Sequence, residues 1–191
     1  MNTPQHASGL VYNSELTPEQ AASMRRVVEA IWSERAQEDL SPDAPAGVSW
    51  VGFYSAPGLT FDAGVGGASS PTATGGEEML LICREPKPAC SPIGLHGKCG
   101  HGYLTGNAVI VDDVATLSGG VDNEAYVACD PNDRSEVVVP CVDDAGRVYA
   151  VLDLDSYQPG GFTPDDVRTL HAMLVEHGLT RQGATPAIDT F

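Results

Sequence analysis

The stretch Val137-Val138-Val139-Pro140-Cys141-Val142-Asp143-Asp144-Ala145-Gly146-Arg147-Val148-Tyr149-Ala150-Val151-Leu152-Asp153-Leu154-Asp155 decides how the chain folds. Two β-branched, apolar runs flank Asp143-Asp144-Ala145-Gly146, a short polar connection containing glycine, so the segment reads as a β-hairpin. Pro140 lacks a donor and argues for an edge, a bulge or a strand end at that point. In the second run Asp153 and Asp155 alternate with Leu152 and Leu154. A strand with period two therefore turns both carboxylates to one face and both leucines to the other. The leucine face belongs to a core, and the carboxylate face is either solvated surface or the floor of a polar pocket.

Working outward, Val48–Ser55, Glu78–Cys83 and Ala108–Val111 supply three more strand-like runs. In the first, Trp50, Gly52 and Tyr54 share one face, with Val51 and Phe53 on the other. Aromatics around a glycine suit either a core or one wall of a small-molecule pocket, since glycine lets a ligand approach the backbone. Helices bracket the sheet. Thr17-Pro18-Glu19-Gln20 opens a helix over residues 17 to about 37, with apolar positions at Ala21, Met24, Val28 and Ile31. Thr163-Pro164-Asp165-Asp166 repeats the start signal, Phe162 is placed to staple against Val167, and Gly178 supplies a stop. The architecture expected is α+β, an antiparallel sheet of about six strands with both helices on one face. Residues 1–16 read as an N-terminal extension, 17–179 as one domain, and 180–191 as a tail without pattern. Residues 56–76, rich in Gly, Ser, Thr and Ala, read as a flexible insertion.

Composition removes several functions. The 191 residues carry a formal net charge of −16, which repels phosphate backbones and anionic lipid. No run reaches the roughly 18–20 apolar residues of a spanning helix. The first residues lack the basic-then-apolar pattern of a secretory signal, so a cytoplasmic location is expected. Five cysteines in such a chain do not suggest a static disulfide framework. Cys83 and Cys141 lie in apolar runs and read as buried. Cys90, Cys99 and Cys129 lie among Pro, Gly and polar residues and read as loop thiols. Their spacing lacks the short Cys-x2–4-Cys pairs of structural zinc sites, although His96 and His101 beside Cys99 keep a Cys/His site as a rival. Thiol redox chemistry asks less: one activated thiol and a second within reach. Arg134 and Glu136 follow Cys129 closely. Arg134 can lower a thiol's pKa, pin an acid, or form an ion pair in a surface turn.

The motifs Trp50-Val51-Gly52-Phe53-Tyr54, Lys87-Pro88-Ala89-Cys90, Gly97-Lys98-Cys99-Gly100, Ala128-Cys129-Asp130, Arg134-Ser135-Glu136-Val137-Val138-Val139-Pro140 and Val151-Leu152-Asp153-Leu154-Asp155-Ser156 occur in this order. Together they resemble the free methionine-(R)-sulfoxide reductases, which are single GAF domains. The resemblance implies a GAF-type fold and reduction of free methionine-(R)-sulfoxide, with no bound cofactor, recycling by the thioredoxin/NADPH system, and frequent homodimers. It assigns Cys129 as the nucleophile and Cys90 and Cys99 as resolving thiols. It makes Trp50, Tyr54, Glu136, Asp153 and Asp155 the substrate pocket. The chain departs from the family in the loops around Cys90–Cys99 and Cys99–Cys129 and in the insertion at 56–76. The rival from another class is a GAF sensor that binds a small ligand without catalysis.

Overall fold

The computed structural model describes residues 15–36, 46–61, 78–117 and 129–191. Most of the N-terminal extension and of the 56–76 insertion lies outside the described residues, as does Ala128. Helix α1 (Pro18–Arg35) begins in the expected capping box: Thr17 accepts from the Gln20 amide and the Gln20 side chain accepts from the Thr17 amide. Helix α3 (Pro164–Glu176) is capped in the same reciprocal way by Thr163 and Asp166. Gly178 takes a φ of 66°, the left-handed geometry its sequence position anticipated.

Strands β1 (Trp50–Ser55), β3 (Leu81–Glu85), β5 (Ala108–Val111), β6 (Ser135–Val142), β7 (Val148–Ser156) and β8 (Ile188–Thr190) form one sheet in the order β3-β1-β7-β6-β5-β8. The β6–β7 hairpin is as read, and it is the longest pairing in the sheet. Pro140 sits inside β6, beyond the residues that β5 pairs (Glu136, Val137 and Val138), so no ladder bond is lost there. Two short strands, β2 (Glu78–Met79) and β4 (Ile93–Gly94), pair separately.

Three elements differ from expectation. The run Glu78–Cys83 is two strands, β2 and β3, divided at Leu80. The Leu80 amide donates to Ser55 Oγ, and its carbonyl accepts from the Ser55 amide, which ties the break to the end of β1. The tail forms β8, which pairs parallel with β5 and makes the sheet mixed. Cys99 lies in a helix rather than a loop: α2 spans Lys98–Thr105 despite two internal glycines. A Cβ at Gly102 would stand 3.1 Å from Val138, so that glycine lets α2 settle close on β6.

The sheet separates two cores by strand alternation. Val51, Phe53, Val137, Val139, Leu152 and Leu154 face α1 and α3 and pack with Met24, Val28, Ile31, Leu170 and Leu174. Trp50, Tyr54, Val109, Val138 and Val151 face the other way, beneath α2 and Cys99. The pocket opens on this second face.

Candidate functional site

The pocket, about 480 Å³ in volume, is lined by residues from β1, β6, β7, α2 and the loops that carry Cys90 and Cys129. It is within the usual size range for small-molecule sites. Its floor follows from register. Trp50 pairs with Asp155 and Gly52 with Asp153 across β1–β7, while Glu136 pairs with Asp155 across β6–β7. The alternation seen in the sequence thus gathers Trp50, Tyr54, Glu136, Asp153 and Asp155 on one surface. Gly52 is necessary there, because a Cβ would lie 2.3 Å from the Trp50 indole and 2.9 Å from the Cys83 carbonyl. The indole occupies the space beside the glycine, with its ring centre 6.0 Å from that of Tyr54.

The aromatics also hold the roof. Trp50 Nε1 donates to the Lys87 carbonyl at 2.9 Å, and the Tyr54 hydroxyl donates to the Cys90 carbonyl at 2.9 Å. The Lys87 ammonium is ion-paired with Asp130 and donates to the Tyr157 hydroxyl at 3.0 Å. Lys87 stands three residues before Cys90, and Asp130 one residue after Cys129. This ion pair therefore clips together the two loops that carry the exposed thiols. The Cys129 thiol is hydrogen-bonded with Cys90, and partial burial followed by that contact pushes it up to about 12. Both residues are exposed at the pocket mouth. Cys99 is buried deeper, and its thiol donates to Asp153 Oδ2 at 3.2 Å. Burial, then the neighbouring Asp153 and Glu136 carboxyls, hold the Cys99 thiol well above its ordinary value.

The acids share one cause. Burial, followed by the nearby Glu136, raises Asp153 well above the usual carboxylate range. Burial, followed by Asp153, does the same for Asp155. Both groups therefore keep their protons to higher pH than an ordinary carboxylate, which suits a proton donor. Asp133 joins this cluster, and nothing in its surface-like sequence context, Asp130-Pro131-Asn132-Asp133, marked it out. It is 3% exposed, accepts from Ser49 Oγ at 2.9 Å, and is raised by burial to about 6. Lys87 also lay unassigned within its motif. Arg134 belongs to neither the thiols nor the pocket acids; it makes a two-pronged pair with Asp113 at 3.1 and 2.7 Å. His101 is paired with Asp189 at 2.7 Å, whereas His96 lines the pocket.

A two-layered sheet with this topology and a pocket on the face opposite its long helices defines a GAF domain, and the chain belongs to that family: its model matches residues 21–175. Among proteins of known activity, the chain is similar to free methionine-R-sulfoxide reductase of Saccharomyces cerevisiae, 29% identical over 146 residues that make up 75% of this chain and 65% of that protein. It is 28% identical to the free methionine-R-sulfoxide reductase of Escherichia coli over 131 residues, 68% of this chain and 64% of that protein. The chain thus spans just under two thirds of each of these relatives. The structure of free methionine-R-sulfoxide reductase from Neisseria meningitidis in complex with its substrate matches with a TM-score of 0.51 at 26% identity, covering 88% of this chain and 95% of that one. Among the described residues no helix is long and apolar enough to cross a membrane.

Proposed function

We propose that this chain reduces free L-methionine-(R)-sulfoxide to L-methionine. The observation that carries this reading is one pocket holding raised carboxyls, an indole wall and two neighbouring thiols at its mouth. A sulfoxide sulfur becomes electrophilic when its oxygen gains a proton, and Asp153 or Asp155, both raised by burial, supplies it. The carboxylates that remain ionised bind the substrate's α-ammonium, which selects the free amino acid because a residue inside a peptide has none. The Trp50 indole packs against the S-methyl group.

The Cys129 sulfur then bonds to the sulfoxide sulfur, its S–H proton and the carboxyl proton go to the oxygen, and the S–O bond breaks with loss of water. Water then attacks the Cys129 sulfur, the new S–S bond breaks, methionine departs with the electron pair, and the spare proton returns to the carboxylate. The net change is thiol plus sulfoxide to sulfenic acid plus thioether, so Cys129 is oxidised and methionine leaves. Cys90 condenses with the sulfenic acid, losing water and forming a disulfide that thioredoxin reduces. The Cys129–Cys90 contact favours Cys90 over Cys99 as the resolving thiol, since Cys99 is engaged with Asp153 below. A ligand-binding sensor fits this pocket less well, because its acids repel the phosphates of a cyclic nucleotide.

The test is thioredoxin-dependent NADPH consumption with each epimer of the free sulfoxide. Turnover with the R epimer only is expected, with Cys129→Ser reduced to background. Cys90→Ser should complete one turnover and accumulate a Cys129 sulfenic acid that a dimedone probe traps. Activity with neither epimer would favour the sensor, and full turnover by Cys129→Ser would remove the nucleophile assignment.

A further inference from the structure

The deepest part of the pocket combines a thiol with two carboxyls. Cys99 Sγ, one Glu136 oxygen and one Asp153 oxygen all lie within 4.8 Å of one another, and all three residues are buried. Asp153 is 7% exposed, and its Oδ1 has no hydrogen-bond partner among the described residues. A buried carboxylate oxygen without a partner is costly, and buried charges are met either by a partner or by a metal. Protonation removes the charge of Asp153, but a proton on Oδ1 makes that atom a donor that in turn lacks an acceptor. A cation ligated through Oδ1 satisfies the oxygen and the charge together.

The donor set indicates which cation. An ammonium group or a hard cation such as Mg²⁺ uses the oxygens and gains nothing from the thiol. A borderline-soft divalent ion binds thiolate and carboxylate together, at about 2.3 Å and about 2.1 Å, in tetrahedral geometry. Ligand atoms at those lengths stand roughly 3.5 Å apart, so the three side chains need to close by about one ångström. Three elements supply the ligands independently: α2 brings Cys99, β6 brings Glu136 and β7 brings Asp153. The contact of α2 with β6 and β7 holds them together without any loop.

We propose that Cys99, Glu136 and Asp153 form a binding site for one thiophilic divalent cation of the zinc class. The bound ion takes Cys99 as thiolate and occupies the carboxyl cluster at the base of the pocket. It therefore excludes a cationic ligand from those acids. The site does not depend on the reductase reading, and its test measures binding rather than turnover.

The experiment titrates Co²⁺, and then Zn²⁺ in competition, into the fully reduced protein under nitrogen, following the thiolate-to-cobalt charge-transfer band in the near ultraviolet. Wild type and a Cys90→Ser/Cys129→Ser protein are compared so that the exposed thiols are taken out of play. A saturable one-to-one band present in both proteins, displaced by Zn²⁺ and lost in Cys99→Ser, is the expected result. Glu136→Gln and Asp153→Asn should each weaken Co²⁺ binding at least about tenfold while the thiolate band persists at saturation. These two variants keep the proposal testable if Cys99→Ser fails to fold by circular dichroism. Absence of saturable binding at micromolar Co²⁺, or a band that disappears with Cys90 and Cys129 instead of with Cys99, would overturn it.

Discussion

At the scale of single residues, Asp133 shows what burial does to the charge balance of this pocket. Its carboxyl is raised from 3.8 to about 6, so between those values the folded protein holds a proton that the unfolded chain has released. Stability then falls as pH rises through that window and is highest below it. Asp133→Asn keeps an acceptor for Ser49 Oγ and removes the titration. Denaturant midpoints measured from pH 4 to pH 6 should therefore decline less steeply in the variant than in the wild type. Equal slopes would show that the carboxyl does not titrate as its burial implies. Asp153 and Asp155 act in the same direction, because a raised carboxyl weakens the fold as it ionises.

At the scale of elements, α2 is where local propensity and tertiary structure disagree. Gly97-Lys98-Cys99-Gly100-His101-Gly102 is a poor helix by composition, with interior glycines costing about 1 kcal/mol each against alanine. The helix forms because those glycines admit neighbours: a Cβ at Gly100 would stand 2.1 Å from the Leu95 carbonyl oxygen. Backbone cannot yield as a flexible side chain does. Gly100→Ala should thus lower stability although alanine is the better helix former, and should displace Cys99 from Asp153. A thermal midpoint that rises in this variant would contradict the close approach. The C-terminal strand supports the same helix. Asp189 accepts from Asn107 at 3.1 Å and pairs with His101, while Lys98 sits over the Phe191 ring at 3.2 Å. Residues 180–191 have no periodicity because β8 has three residues, too few for alternation to register. Both long helices, by contrast, were legible from their capping boxes alone. Thr17 and Thr163 announce bonds made within four residues, which no distant contact has to supply.

At the scale of the whole molecule, a formal charge of −16 acts against compactness. Raising KCl from about 0.02 to about 0.2 M shortens the screening length severalfold. The thermal midpoint should rise over that range; a fall would mean that attractive ion pairs such as Arg134–Asp113 outweigh the net repulsion. The sequence by itself determined the hairpin, the two capped helices and the split of β1 and β7 into two faces, one apolar and one that lines the pocket. These depend on neighbours in the chain and on a period of two. It also carried the motifs that place Trp50, Tyr54, Glu136, Asp153 and Asp155 together. Only the tertiary structure decided that Asp133 is buried among those acids and that Arg134 is not. It alone set Cys99 against Asp153 and left Cys90 beside Cys129. Those outcomes rest on the Lys87–Asp130 clip and on the packing of α2 against β6 and β7, contacts between residues tens of positions apart. Burial and pairing of that kind depend on which distant groups arrive, and no local pattern records them.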